Sequence, residues 1–505
     1  MRVLVGSSLR LFVAAISFAA LPAVAQVPSA GATYLPVTGG TLAERSVPFL
    51  TMAGQMAPFG YVEDEYVFSG EADIYDYVDN DAQSPLVGVV EEGLPYATRV
   101  LVRRPANPED FNGTVILEVV NSTRGFDSDV IWQYSDQMIM DQGAVYVGMT
   151  SKTVAIDWLR DSFGEDYIPR NGERYASLLM VDDGQVWDML SQTAALLKDD
   201  ENDENPLQSW GVERIILAGY SQSAGYVKTY INSFHNFAVL EDGRYAMDGY
   251  FDAGGSFASK QPNPEGTGVE FNPGFDPRNR AVLPIPAPII RFQTENEVAS
   301  FFSSWQTRQT EAESPLVRTY EMTGGAHVDE YQKAAEEEQN IAELGLVSPW
   351  PACTTRASTL RVEYVHSALL QRLDEWLTFG KAPPASRLIE SYFDEQNRFQ
   401  VVRDADGIAL GGVRLPQLDV PTGTWTGLNS EIWCILNGSY VPFSREELDA
   451  RYPRRMGYIR ASFWAIFGAY LDGFLLGRDA LTIYREAWLA DIGAWRWDWR
   501  ARGRE

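Results

Sequence analysis

Residues that bind metals are scarce in this sequence. Its 505 residues include only three histidines and two cysteines. None of His235, His327 and His366 lies next to a cysteine, and no two of them have an H-x-x-x-H spacing. Because zinc sites are built from clustered histidine and cysteine ligands, the sequence predicts no such metal site.

The two cysteines, Cys353 and Cys434, have two interpretations. A single disulfide can form if the chain is exported, because oxidising compartments favour such bonds. Two free buried thiols fit the sequence equally well, since spacing alone does not give the geometry of the pair.

Long apolar runs are also missing, apart from one at the N-terminus. Arg2 and Arg10 supply positive charge, Leu11–Leu21 is apolar, and Ala23-Val-Ala25 is a small-x-small cleavage pattern. Residues 1–25 are therefore predicted to be a signal peptide, with export to the periplasm or the extracellular space. The apolar stretch is short for a membrane span, and no later segment predicts one.

Positive charge is sparse as well. Lys and Arg number 41 against 69 Asp and Glu, which gives a formal net charge of −28 at pH 7. Without Arg2 and Arg10 of the signal peptide the value becomes −28 − 2 = −30. Such a charge argues against binding to nucleic acid or to anionic lipid surfaces.

What the sequence does contain is an alternation of strand and helix patterns. Runs rich in Val, Ile and Leu indicate buried strands, and apolar residues at helical spacing indicate helices. In chain order, the elements predicted in this way are Val115–Val120, Asp129–Asp141, Ala144–Met149, Gly184–Lys198, Arg214–Ala218, Ala224–Phe234, Pro288–Gln293, Val317–Glu321 and Arg361–Phe379. The alternation predicts an α/β fold with a mostly parallel central sheet flanked by helices.

The same patterns suggest how the chain is divided. We expect an N-terminal segment at 26–60, a folded core at 61–380 and a C-terminal extension at 381–505 packed on that core. Residues 254–284 are rich in Gly, Pro and Asn and predict a long irregular insertion before the next strand. Arg460–Leu489 is apolar on most sides, which predicts one long helix packed on the core.

The most informative motif directly follows the predicted strand Arg214–Ala218. Gly219-Tyr-Ser221-Gln-Ser223 has the small-x-Ser-x-small spacing of a nucleophile elbow, and a helix pattern follows it. Ser221 is the predicted nucleophile because it lies at the end of the strand. The overlapping Ser221-Gln-Ser223-Ala-Gly225 also fits the spacing, so Ser223 is the alternative.

A serine nucleophile needs a base, and the base needs an acid to orient it. In folds with this elbow the acid and then the histidine follow the serine along the chain. His327 lies in a Gly-rich loop after the last predicted strand and is the predicted base. His235 and His366 lie on predicted helices, where we expect packing roles.

Three carboxylates are candidates for the acid. The loop Thr294-Glu295-Asn296-Glu297 follows the predicted strand Pro288–Gln293 and offers two of them, Glu295 and Glu297. Asp252, at the end of an earlier strand pattern, is the third.

Backbone N–H groups are expected to stabilise the oxyanion of the reaction. One donor should be Gln222, the residue after the nucleophile. The second should come from the loop after Val115–Val120, where Ser122 and Thr123 are the candidates.

These motifs resemble a branch of the α/β-hydrolase superfamily whose members are mostly exported bacterial proteins. The resemblance covers most of the mature chain and depends on seven motifs, namely Gly219–Ser223, Thr294–Glu297, Gly325–His327, Pro351–Cys353, Gly380–Pro384, Gly412–Pro416 and Cys434–Phe443. It implies an α/β-hydrolase fold, an esterase-like activity and an additional C-terminal region, and it favours Glu297 as the acid. It does not imply a particular substrate.

The C-terminal motifs come after the histidine, where a minimal hydrolase needs one more helix. We therefore expect Arg414, the stretch Pro416–Pro421 and the Cys434 loop to fold back over the site and shape its pocket.

The predicted activity is that of a secreted serine carboxylesterase. Ser221 attacks an ester carbonyl, His327 takes the proton, and an acyl-enzyme forms that water releases, with no metal or other cofactor required. The substrate is expected to be a small-molecule or polymeric ester. An exported polyester depolymerase or lactonase is one alternative, and a non-catalytic binding protein on the same fold is another.

Overall fold

The computed structural model describes most of the chain. The described residues are 27–39, 46–78, 85–167, 171–255, 259–264, 282–300, 308, 314–344, 353–396, 398–431 and 434–494. The predicted signal peptide lies outside them, as does most of the segment expected to be an irregular insertion.

A nine-stranded sheet forms the centre of the fold. Strands β1 to β9 are Gly31–Tyr34, Tyr61–Tyr77, Val87–Pro105, Thr114–Val119, Val145–Met149, Arg214–Tyr220, Gly249–Ala253, Ile289–Thr294 and Val317–Met322. Their order across the sheet is β1-β2-β3-β5-β4-β6-β7-β8-β9. The pairs from β1 to β3 and the pair β3–β5 are antiparallel, while all pairs from β5 to β9 are parallel. The expected mostly parallel sheet is confirmed.

Helices cover both faces of the parallel part, which explains why its strands are apolar along their whole length. Every residue of β4, β5, β7 and β8 is buried. Val115 and Leu117 of β4 pack in one apolar cluster and Ile116 in the other, because alternate side chains of a strand point to opposite faces.

Four of the longer helices correspond to the predicted Asp129–Asp141, Gly184–Lys198, Ala224–Phe234 and Arg361–Phe379. Helices of eight or more residues are Val130–Gln142, Val186–Lys198, Gln222–Thr229, Glu330–Leu344, Val362–Phe379, Arg455–Leu471 and Gly477–Leu489. Shorter α-helices are Ala53–Met56, Thr153–Asp157, Asn171–Tyr175, Glu295–Ser300, Pro416–Asp419 and Arg445–Arg451. The described residues also form the 3₁₀ turns Ala57–Phe59, Pro108–Asp110 and Asp183–Gln185 and the π-helical segments Trp158–Tyr167 and Tyr230–Phe234.

The described part of residues 381–494 lies against the edge strand β9. Tyr320 and Met322 of β9 form isolated parallel bridges with Arg387 and Val413. The same region contains two small antiparallel pairs of strands. Strands β10 and β11 are Ser391–Phe393 and Phe399–Val401. Strands β12 and β13 are Gly423–Thr426 and Ser439–Pro442. The C-terminal region thus covers an edge that would otherwise expose unpaired backbone groups.

One predicted element is wrong. Arg460–Leu489 is not a single helix, because the chain turns back between Leu471 and Gly477, with Gly473 at a φ of 82° in the left-handed region. The two helices pack on the core along one face only, and large apolar side chains of the opposite face are exposed.

Within the described ranges, no helix combines the length and the apolar character that crossing a membrane requires.

Candidate active site

Ser221 lies in the sharp turn between β6 and the helix Gln222–Thr229. Its backbone has φ 59° and ψ −120°, a conformation that residues with a side chain seldom adopt. The turn is held in place because the Ser221 N–H donates to the carbonyl of Ala253 at 2.9 Å. The hydroxyl therefore projects from the carboxyl end of the sheet.

The residues around this turn have to be small. A Cβ atom added to Gly219 would lie 2.7 Å from the backbone C and O of Ser223, too close for any real contact. The close approach of strand and helix explains why glycine occupies this position.

Ser223, the alternative nucleophile, is fully buried below the turn. Its hydroxyl lies 3.3 Å from the carbonyl of Val120, and Lys152 Nζ donates to that carbonyl at 2.9 Å and to Ser223 Oγ at 3.2 Å. Burial lowers the pKa of Lys152 to about 8. These hydrogen bonds connect Val120, the residue after β4, to the helix that contains Ser223.

His327 lies between Ser221 and Glu297. Its Nε2 is 2.8 Å from Ser221 Oγ, and its Nδ1 is 2.5 Å from Glu297 Oε1. If Nδ1–H donates to the carboxylate, Nε2 is the unprotonated nitrogen and can accept from the serine hydroxyl. The hydroxyl of Tyr220 also donates to the His327 carbonyl at 2.7 Å, which fixes the loop.

The other two histidines pack in the interior. His366 Nδ1 is 2.8 Å from Ser135 Oγ, and His235 Nδ1 is 2.7 Å from the hydroxyl of Tyr250. Burial lowers the pKa of His366 to about 3 and that of His235 to about 4, so both are neutral at pH 7.

The three acid candidates have different surroundings. Glu297 contacts His327 with one oxygen and accepts the backbone N–H of Thr294 with the other. Glu295 accepts the Gly324 N–H at 2.7 Å and pairs with Arg403 Nη2 at 2.6 Å. Asp252 pairs with Arg291 Nε at 3.0 Å inside the sheet. The structure thus brings Glu297 to the histidine and engages the other two elsewhere.

The candidate oxyanion donors lie on both sides of Ser221. Gln222 is the first residue of the helix after the turn. Ser122 is buried, and its hydroxyl donates to Asp127 Oδ1 at 3.3 Å. The Thr123 N–H already donates to Asn121 Oδ1 at 2.9 Å.

Asp127, a buried residue that the sequence patterns did not single out, positions the loop that contains Ser122. Asp127 accepts from the hydroxyls of Ser122 and Thr150, and its Oδ2 lies 3.4 Å from Arg99 Nη1. Burial raises the pKa of Asp127, although Arg99 and Thr150 oppose this. No local pattern marks Asp127 among the 69 acidic residues, because its partners come from distant strands.

A cleft of about 330 Å³ opens above Ser221 and His327. Its apolar lining is formed by Val130, Tyr220, Val328 and Leu436, and its polar lining by Asn121, Thr123, Arg124, Ser128, Gln332 and Glu336. Arg124 and Glu336 form an ion pair with each other at this cleft. A separate cleft of about 450 Å³ next to Met138 and Arg478 includes none of the predicted site residues.

The Cys434 loop reaches the cleft above Ser221 and His327, as expected. Leu436 lines it, and the Leu436 carbonyl accepts the N–H of Val328, the residue after His327, at 2.9 Å. Cys434 is joined to Cys353 by a disulfide, with the two Cα atoms 5.9 Å apart.

The other two segments expected over the site lie elsewhere. Arg414 pairs with Asp419 at 2.8 Å and donates to the carbonyls of Ala409 and Leu418. Pro416 and Val420 line a separate pocket beside the C-terminal helices. The expectation that they shape the pocket above Ser221 is therefore wrong, because the chain at 414–420 packs under the helical pair instead.

No group of three or more His, Cys, Asp or Glu in the described part of the chain is arranged to hold a metal ion.

Comparison with known proteins gives a family and a set of distant structures. A family model described as an alpha/beta hydrolase domain matches residues 30–485. No curated protein matches the chain.

Three of the similar solved structures have a TM-score of 0.29 each. An α/β serine hydrolase homologue from Coxiella burnetii is 13% identical, over 50% of this chain and 92% of that one. An α/β serine hydrolase without a lid from Xanthomonas campestris is 12% identical, over 48% and 86%. A lipase/esterase from Lactobacillus plantarum is 13% identical, over 45% and 86%.

Proposed function

The chain belongs to the alpha/beta hydrolase domain family, and from that membership we propose that it is an exported serine hydrolase that cleaves carboxylic esters. One observation carries the proposal, namely the line of contacts from Ser221 Oγ to His327 Nε2 at 2.8 Å and from His327 Nδ1 to Glu297 at 2.5 Å. This arrangement is what a serine needs to become a nucleophile near neutral pH.

The reaction begins with attack of Ser221 Oγ on the ester carbonyl carbon. His327 Nε2 takes the hydroxyl proton as the new C–O bond forms, and the Glu297 carboxylate stabilises the resulting imidazolium. The backbone N–H groups of Gln222 and Ser122 are the proposed donors to the oxyanion, since the Thr123 N–H already has a partner.

Collapse of the tetrahedral intermediate expels the alcohol. His327 returns the proton to the leaving alkoxide, and the acyl group remains on Ser221 Oγ. A water molecule, activated by the same imidazole, then releases the acid and restores the serine. All proton transfers of both half-reactions thus run through His327.

A small ester fits the cleft better than a polymer. Its volume of about 330 Å³ lies at the lower end of the range for small-molecule sites, and among the described residues that line it Tyr220 is the one aromatic side chain. An extended groove with exposed aromatics would favour a depolymerase. A non-catalytic binding protein would not need the contacts of Ser221 and Glu297 with His327.

A panel of chromogenic esters with acyl chains from acetyl to dodecanoyl tests the proposal, alongside a polyester film. We expect turnover of the short esters, loss of at least 10³-fold in kcat for Ser221→Ala, and little loss for the matched variant Ser223→Ala. EDTA should leave the rate unchanged. Absence of turnover across the panel, or loss with Ser223→Ala but not with Ser221→Ala, would contradict it.

A further inference from the structure

The two C-terminal helices form a hairpin that is apolar on both of its faces. The inner face of the first helix packs on the core through Tyr458, Ile459 and Ile466. Ile483 and Ala487 do the same from the second helix. These residues recur at helical spacing, so the inner face accounts for the core contacts of the hairpin.

The outer face carries large apolar side chains that the core does not use. Nine of them are at least 40% exposed, and we name this set the aromatic face: Met456, Phe463, Trp464, Phe467, Tyr470, Leu471, Leu481, Trp488 and Leu489. The set spans both helices, because Phe463 contacts Tyr484 at a ring distance of 6.1 Å and Tyr484 contacts Trp488 at 6.3 Å. These ring contacts join the two helices, and the remaining members recur at helical spacing on the same side of each helix.

The size of the aromatic face is that of an interface. Trp464 is 61% exposed, Leu471 65% and Leu489 79%. With large side chains of about 200 Å² each, the nine expose roughly 1,000 Å² of surface. Monomers rarely expose apolar patches above about 600 Å², whereas a standard interface buries about 800 Å² on each partner.

The charge and composition of the hairpin favour a protein partner over a lipid surface. Residues 454–489 contain five Arg, three acidic residues and no Lys, together with Trp, Tyr, Phe and Met. Arginine and aromatic residues are enriched at protein interfaces, and lysine is depleted there. A chain with a net charge of −28 would be repelled by an anionic membrane.

We propose that the aromatic face is the interface of a homodimer, in which the hairpins of two copies pack against each other about a two-fold axis. A helical hairpin suits this arrangement, since two antiparallel pairs pack face to face as a four-helix bundle. In an isologous contact the same surface serves both copies, so one apolar face is sufficient. None of the described residues lining the cleft above Ser221 belongs to the hairpin.

The test is the mass of the full chain in solution, measured by light scattering and sedimentation velocity from 1 to 50 µM. We expect a particle of twice the monomer mass. The double variant Trp464→Ser/Leu471→Ser should be monomeric at 10 µM, with a dimer Kd raised at least 100-fold. The matched control Phe379→Ser/Val90→Ser changes equally exposed apolar residues outside the hairpin and should remain dimeric.

Unchanged thermal unfolding of the Trp464→Ser/Leu471→Ser variant shows that its fold is intact. If that variant does not fold, Leu481→Ser/Leu489→Ser on the second helix replaces it, with the same expectation. A monomeric wild-type chain, or a dimer that survives the hairpin variants, would overturn the proposal. Binding of a monomeric wild-type chain to phosphatidylcholine vesicles would overturn it too, and would assign the aromatic face to lipid.

Discussion

Glu295 and Glu297 lie two residues apart in the short helix Glu295–Ser300 but contact different parts of the molecule. Both are fully buried. In the helix that begins at Glu295, two residues correspond to a rotation of about 200°, so their side chains point in nearly opposite directions. Glu297 therefore faces His327, and Glu295 faces Gly324 and Arg403 of the C-terminal region.

Exchanging each carboxylate for its amide should separate these two roles. Glu297→Gln should lower kcat by about 10²- to 10⁴-fold with little change in melting temperature, because an amide neither stabilises the imidazolium nor selects the tautomer. Glu295→Gln should keep kcat within a few fold but cost about 1–3 kcal/mol of stability, since Arg403 and buried N–H groups lose their anionic partner. Steady-state kinetics and thermal melts measure both.

The opposite pattern, with activity lost in Glu295→Gln and retained in Glu297→Gln, would remove Glu297 from the mechanism. Asp252→Asn is the control, because its carboxylate pairs with Arg291 inside the sheet. It should behave as a stability variant.

At the residue scale, short-range patterns singled out Ser221 and His327, which the structure places in contact, but they did not select one acid candidate or find Asp127. Ser221 has a local signature, since a strand, a small-residue turn and a helix are contiguous in the chain. The choice among Glu297, Glu295 and Asp252 depends on side-chain direction at one helix start, and the resemblance to known hydrolases favoured Glu297. Asp127 was missed because Thr150 and Arg99, which bind it, are distant in the sequence.

At the scale of elements, the segment 427–437 supports two loops of the site at once. Asn296 Nδ2, between the two glutamates, donates to the carbonyls of Gly427 and Ile435 at 2.6 Å each. On the histidine side, the Val328 N–H donates to Leu436 and Asn437 Nδ2 donates to the Val328 carbonyl. The loops of Glu297 and His327, the proposed acid and base, are thus held by the same C-terminal segment.

Leu436 should limit the size of the group that the cleft accepts. Leu436→Ala removes part of the apolar lining, and we expect the ratio of kcat/KM for octanoyl over acetyl ester to rise by about 10-fold, as a pocket contact of a few methylene groups would give. The matched variant Ile435→Ala changes the neighbouring, more exposed side chain and should leave the ratio unchanged. An unchanged ratio in Leu436→Ala would show that the acyl chain of the ester does not contact Leu436.

The disulfide between Cys353 and Cys434 should stabilise the fold. It closes a loop with a sequence separation of 81 residues, for which loop entropy in the unfolded chain predicts up to about 4 kcal/mol. Dithiothreitol should therefore lower the melting temperature of the wild-type chain. The double variant Cys353→Ser/Cys434→Ser should melt at the lower temperature with or without reductant. Equal melting of both proteins in the absence of reductant would contradict the assignment.

The periodicity of apolar residues predicted most helices and buried strands, but it predicted one helix where the structure has the C-terminal helical hairpin. A helical pattern of apolar residues shows that a face avoids water, and it does not show which surface covers that face. Arg460–Leu489 is apolar on both sides, and only the structure shows that one side meets the core while Trp464 and Leu471 are exposed. The turn at Gly473 was missed because the apolar pattern continues across it.

At the scale of the whole molecule, the net charge of −28 lowers the stability of the folded state. Like charges repel more strongly in the compact state than in the unfolded chain, and salt screens them. The melting temperature should rise by several degrees between 10 and 500 mM NaCl, and equally in KCl. A flat or falling curve by scanning fluorimetry would show that the loss of surface ion pairs such as Arg445–Asp491 outweighs the relief of repulsion.

The sheet as a whole could be predicted in kind but not in arrangement. Alternating strands and helices predicted parallel pairing, since a helical crossover returns the chain to the end of the sheet at which the previous strand began. The order β5-β4-β6 depends on contacts between segments far apart in sequence, since β4 pairs with β6 across about a hundred residues, as in Thr114 with Arg214.

The most direct test of the central claim is labelling with a fluorophosphonate, followed by intact mass and peptide mapping. We expect one adduct per chain, located on Ser221, lost in Ser221→Ala and retained in Ser223→Ala. Absence of an adduct on the folded wild-type chain, or an adduct on Ser223, would contradict it.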